Sequence, residues 1–204
     1  MRLTAPPSPL VALALALLAA SAPAAENACR AESGRQRMTV VELYTSEGCN
    51  SCPPADRWLS GLKGRDDVLA QAFHVDYWDR LGWKDRFASP AYTERQAQWR
   101  AALGARFVYT PQLIVDGTDR KDLPAPVDLT LARDGPGYVA TVRPGPGAPA
   151  RLGAYWTLTE DGHVSAVRAG ENQGATLHHD FVVRDYRRVE AWDATGDGGT
   201  KRLR

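Results

Sequence analysis

From Met38 to Asp116 the chain alternates short runs of β-branched and aromatic residues with stretches of helical period. Val40-Val41-Glu42-Leu43-Tyr44-Thr45 reads as one strand and Ala70-Gln71-Ala72-Phe73-His74-Val75-Asp76 as a second. Between them, Asp56 to Lys63 carries Trp58, Leu59 and Leu62 on one side of a helix. Strand, helix and strand within about 35 residues make a parallel crossover unit. The next helix has clear end signals. Ser89 suits the N-cap, Pro90 the first helical position and Gly104 the stop, while Tyr92, Trp99 and Leu103 share a face. Gln112-Leu113-Ile114-Val115 then forms a strand that ends in the turn pair Asp116-Gly117.

Beyond that turn the pattern becomes all-β. Val127 to Leu131, Tyr138 to Val142, Leu152 to Leu158, Val164 to Val167 and Phe181 to Trp192 are candidate strands. Clusters such as Gly135-Pro136-Gly137 separate them, which points to a small sandwich or an added sheet. No internal repeat is present. The expected organisation is therefore an α/β unit over residues 38–123 and a β-rich region over 124–204, packed on each other.

Composition adds the compartment. Arg2 precedes an apolar run from Leu10 to Ala20, and Ser21-Ala22-Pro23-Ala24-Ala25 has the small residues that a signal peptidase cleaves. The run is shorter than the roughly 18 residues a membrane span needs. Residues 1–25 therefore read as a leader and 26–37 as a flexible segment, with a periplasmic or secreted product expected. The 204 residues carry 25 basic and 24 acidic side chains; loss of Arg2 leaves 24 of each. That balance argues against a nucleic-acid footprint. Three cysteines in an exported chain leave one thiol outside any internal pair, and Cys29 is the odd one.

The chemistry concentrates at Cys49-Asn50-Ser51-Cys52. A strand delivers the first sulfur to the sheet edge. The unpaired N–H groups at the start of the following helix then favour a thiolate, lowering its pKa from about 8.5 into the ~3.5–7.5 range. Pro53 and Pro54 fit only a first helical turn, so the helix begins near Ser51 or Cys52. This predicts Cys49 as the exposed nucleophile and Cys52 as the buried resolving thiol. Thr110-Pro111, just before a strand, suits a cis-proline turn that lays a backbone edge beside the dithiol. Two further readings of the pair stay open: a copper site built from both thiols and His74, since soft thiolates suit Cu(I), and a structural clasp in a partner-binding module. No phosphate-binding glycine loop or nucleophile elbow occurs, and no cofactor is implied.

These residues carry a resemblance. The stretches from Glu42 to Asp56, His74-Val75-Asp76-Tyr77-Trp78-Asp79 and Val108-Tyr109-Thr110-Pro111-Gln112 resemble a family of secreted bacterial thioredoxin-like proteins of unassigned function, domain of unknown function 1223. Gly170-Glu171-Asn172 and Val182-Val183-Arg184 extend the likeness into the β-rich region. The resemblance implies an α/β thioredoxin-like fold with an appended sandwich-like β region. It also implies thiol-disulfide exchange with protein or small-molecule thiols and disulfides, with Cys49 and Cys52 reacting and Thr110 and Pro111 holding substrate. Three departures stand out. Gly48 occupies the place of the usual tryptophan. Residues 118–126 are polar and proline-broken where a further strand and helix would follow, so the fold is expected in a shortened form. The C-terminus at 204 also stops where related proteins continue with further strands.

Other residues carry weaker signals. Asp76-Tyr77-Trp78-Asp79 with Leu81, Trp83 and Phe87 either lines a substrate or partner groove near the dithiol or packs a core. Glu47 beside Cys49 is expected to be solvated. His178-His179-Asp180 is placed in a loop that leads into a strand.

Overall fold

The computed structural model describes residues 30–32, 34, 37–116, 127–146, 148–195 and 201–203. The expected leader, Cys29 and the segment 117–126 lie outside the described residues. The fold is mixed α/β and dominated by sheets. In chain order it contains β1 (Arg30–Glu32), β2 (Thr39–Thr45), α1 (Pro53–Ser60), β3 (Val68–His74), α2 (Pro90–Ala102), β4 (Gln112–Val115), β5 (Val127–Asp134) and β6 (Gly137–Pro144). It continues with β7 (Arg151–Glu160), β8 (His163–Ala166), β9 (Thr176–His179), β10 (Val182–Asp193) and β11 (Lys201–Leu203). One 3-10 turn spans Asp79–Leu81. No helix among the described residues is long and apolar enough to cross a membrane.

The strands form a five-stranded sheet ordered β4-β2-β3-β10-β7, a four-stranded sheet ordered β1-β5-β6-β11 and the separate hairpin β8-β9. β2 and β3 run parallel, as the crossover predicts, with Leu43 opposite Ala72 and Tyr44 opposite Phe73. Period-two alternation then sorts the two faces. Val41, Leu43, Ala70 and Ala72 pack with Leu59 of α1, while Tyr44, Phe73 and Ile114 pack with Tyr92 of α2. β4 runs antiparallel to β2, and no described strand pairs with its other edge. Its side chains on the α1 face, Leu113 and Val115, are exposed.

β10 joins the two regions. Val182 pairs in parallel with Ala72 of β3, and from Val182 to Asp193 the strand pairs on its other side with β7. The outer part of this ribbon contributes Val189, Trp192, Leu152 and Trp156 to a second core under Ala140, Val142 and Leu203 of the four-stranded sheet.

The helices differ from expectation in detail. α1 begins at Pro53 with Cys52 as N-cap and ends at Ser60, three residues short of the predicted end. Trp58 is 49% exposed, so Leu59 carries the packing. In α2, Ser89 does cap the helix, its Oγ accepting from the Ala91 N–H at 3.3 Å. Leu103 lies at the C-cap rather than on the inner face and is 53% exposed. The buried face is Tyr92, Arg95 and Gln96: Glu42 of β2 is buried opposite Arg95 and requires a partner, and Gln96 Nε2 donates to Tyr109 O and Gln112 Oε1, each at 2.8 Å. Three short strands, β1, β9 and β11, escaped the sequence reading. Their three- or four-residue lengths give alternation too little to work on.

Candidate functional site

β2 ends at Thr45, and the tight segment Ser46 to Ser51 carries the chain into α1. Within it the Cys49 N–H donates to Ser46 O and the Cys52 N–H to Cys49 O, each at 3.2 Å. The two sulfurs are bonded as a disulfide, with Cα atoms 5.4 Å apart. Ser51 Oγ lies 3.3 Å from Cys49 Sγ. Both cysteines are fully buried, so Cys49 is not the exposed thiol that its position suggested. The cover comes from the β-rich region. Asn172 Nδ2 donates to Glu47 O at 2.9 Å and to Cys49 O at 2.8 Å. The Asn50 N–H donates to Glu171 Oε2 at 3.1 Å.

The Thr110-Pro111 peptide bond is cis. Trp78 ties this turn to the dithiol loop, because its Nε1 donates to Thr110 Oγ1 at 2.7 Å while its Cβ packs against Gly48. A methyl group on Gly48 would lie 3.0 Å from Trp78 Cβ and 3.4 Å from Trp78 O. Gly48→Ala is expected to destabilise the fold by about 1–3 kcal/mol through this overpacking, read as a lowered midpoint in thermal unfolding. An unchanged midpoint would mean that Trp78 moves aside freely.

Behind the disulfide lies a buried polar cluster. His74 Nδ1 and Asp85 Oδ2 are 2.7 Å apart, and Asp85 also accepts from the N–H groups of Glu47 and Phe87, each at 2.9 Å. Trp83 Nε1 donates to Glu47 Oε2 at 2.7 Å. His179 Nε2 lies 3.3 Å from Glu47 Oε1, and its Nδ1 lies 4.0 Å from Asp56 Oδ2. The rings of His74 and His179 meet edge to face, and both contact Phe87. Burial works to raise the Glu47 carboxyl, but the nearby His179 and Ser165 side chains and the Trp83 hydrogen bond outweigh it and hold the group below its ordinary range. Burial raises Asp56. Burial also opposes a charged His74, yet the Asp85 carboxylate overcomes this and raises the imidazole, while His74 in turn holds Asp85 down against its own burial. Among the described residues no group of three or more His, Cys, Asp and Glu side chains is arranged to hold a metal ion. His74, the histidine of the copper reading, has its Nδ1 committed to Asp85.

Trp78 thus bridges Gly48, beside the disulfide, and Thr110 of the cis turn. Trp83 and Phe87 join this neighbourhood, whereas Leu81 is exposed. Glu47 is buried and paired rather than solvated. His179 sits in β9, not in a loop, and points inward with Leu177 while His178 points out. That alternation of Leu177 and His179 was a usable signal for a buried histidine. Asp85 accepting from the Phe87 N–H is an Asx-type turn, a second readable signal.

No curated protein matches the chain. Among solved structures it is similar to a crystal structure of a protein from Agrobacterium tumefaciens. The two are 28% identical, the match covers 84% of this chain and 79% of the other, and the TM-score is 0.67. A family model for proteins of unknown function, DUF1223, matches residues 40–203, and the chain belongs to that family.

Proposed function

We propose that this is an exported thioredoxin-like protein that performs thiol-disulfide exchange through Cys49 and Cys52. The observation that supports it most is the bonded Cys-Asn-Ser-Cys pair at the start of α1, tied through Trp78 to the cis Thr110-Pro111 turn. In the reduced protein the Cys49 thiolate attacks one sulfur of a substrate disulfide. A Cys49–substrate bond forms, the substrate S–S bond breaks, and the departing thiolate takes a proton. Cys52, as thiolate, then attacks Cys49 Sγ, closing the internal disulfide and releasing the second substrate sulfur as a thiol. The substrate gains two electrons and the protein loses them. A dithiol reductant restores the starting state, and the reverse sequence inserts disulfides. Thr110 and Pro111 would hold the substrate backbone beside the sulfurs.

Cys52→Ser is expected to accumulate a mixed disulfide with a model peptide disulfide, and Cys49→Ser is not. Equal trapping by both variants would refute the assignment of roles, and trapping by neither would remove exchange as the function. The equilibrium of the wild-type pair with glutathione then sets the direction of electron flow.

A further inference from the structure

We propose that the Gly170–Gln173 turn is an intramolecular cap on the dithiol loop, and that Glu171 and Asn172 are positioning residues that set access to Cys49. An incoming thiolate must reach a sulfur in line with the bond it breaks. Neither cysteine has exposed surface for such an approach. The groups that close the loop belong to another part of the chain, 121 to 125 residues further on.

Asn172 alone takes the carbonyls of Glu47 and Cys49, and Glu171 takes the N–H of Asn50. Main-chain groups on both sides of the first cysteine are therefore committed to this one turn. They are the groups an extended partner chain would otherwise use.

The turn is built to move as a piece. It closes on itself through Gln173 N–H to Gly170 O at 3.2 Å and Ala175 N–H to Asn172 O at 3.0 Å. Gly170 opens it and Gly174 follows it, both in the left-handed region, at φ +77° and +86°. Below the turn, Leu177 and His179 are buried and fix the base of the β8-β9 hairpin, whereas Glu171 is exposed and Asn172 half-buried. The hairpin shares no strand pairing with either larger sheet. Release of the turn therefore gives up three hydrogen bonds, one exposed and two partly buried, while the base stays packed. The exchange reading above determines what this access is for. The cap itself can be measured without it.

The test is alkylation of reduced protein by iodoacetamide across pH, with Cys49 resolved by peptide mass spectrometry. The plateau rate at high pH reports access, and the midpoint reports the thiol pKa. In the Glu171→Ala, Asn172→Ala double variant the plateau is expected to rise about tenfold or more, the scale set by losing net hydrogen bonds from a local opening equilibrium. Exchange of the Asn50 amide with solvent should accelerate alongside. Glu171→Gln keeps an acceptor oxygen and, with Asn172 intact, should stay near the wild-type plateau. A shifted midpoint with an unmoved plateau overturns the cap, as does an unmoved plateau with a freed Asn50 amide. So does a wild-type plateau already equal to that of a free cysteine peptide. A responsive plateau without mixed-disulfide trapping would leave the cap standing and remove the exchange function.

Discussion

Glu42→Ala is expected to lower the free energy of unfolding by about 3–5 kcal/mol, because it leaves a buried guanidinium without its counter-charge. Glu42 sits in the middle of β2 on the α2 face and is almost wholly buried. Its Oε2 accepts from Arg95 Nε at 2.9 Å, Tyr44 OH at 2.7 Å and Trp99 Nε1 at 2.9 Å, and its Oε1 accepts from Arg95 Nη2. The guanidinium also lies over the rings of Phe73, Tyr155 and Tyr186, at 4.1 Å from the Tyr155 centroid. Removing the carboxylate orphans four donors at once. Replacing Glu42 and Arg95 together by leucine and methionine should cost less than Glu42→Ala alone, since no charge is then stranded. Urea unfolding of the three proteins checks both statements. A loss below about 1 kcal/mol for Glu42→Ala would mean that water reaches Arg95 readily.

The second large effect belongs to Asp85. Asp85→Asn removes the charge that keeps His74 protonated in the interior, with an expected cost of about 3–5 kcal/mol at mildly acid pH. Its signature is in the pH dependence. His74 is raised in the folded protein, so its contribution is complete below the unfolded imidazole value of about 6.5 and disappears as pH climbs through the folded value. Asp56, raised by burial, acts in the same direction: stability falls as pH rises from its unfolded to its folded value. Asp85 and Glu47 are lowered, so their contributions are present above the ordinary carboxyl range of about 4 and disappear as pH falls through the folded values. Stability should therefore peak on the acid side of neutrality, between about pH 4 and 6.5, and decline toward pH 8. In Asp85→Asn the decline from pH 5 to pH 8 should flatten, because the burial that favours a neutral His74 ring is then opposed only by the weaker pull of the Asp56 and Glu47 carboxylates. Identical slopes in the two proteins would show that the pair does not govern the alkaline limb.

The contrast between these two clusters explains what could be read from sequence. β2, β3, β4, α2 and most of the later strands follow from periodicity and end signals that act over a few residues. The dithiol and the cis turn were legible for the same reason, since proline and paired cysteines act locally. Tertiary partners set the rest. By local pattern Arg95 and Gln96 belong on the solvent face of an α2 whose apolar stripe runs through Leu103, and only distant partners turn them inward: Glu42 of β2 for Arg95, Tyr109 O and Gln112 for Gln96. Cys49 has the local setting of an exposed thiol, and its cover arrives with Asn172 from far along the chain. His179 sits in a four-residue strand whose partner face is built from Glu47, Asp56 and His74, none of them near it in sequence.

β10 bears on how the chain assembles. The Ala72 N–H donates to Phe181 O at 2.8 Å, so one edge of β3 is satisfied only by a strand lying more than a hundred residues downstream. Until that stretch has been synthesised, β3 presents an open parallel edge, the kind of template on which chains self-associate. Such non-local closure also belongs to slow-folding topologies. The cysteine-bearing unit thus reaches its finished form late, and a chaperone or an empty neighbourhood during synthesis would serve it better than a quick start.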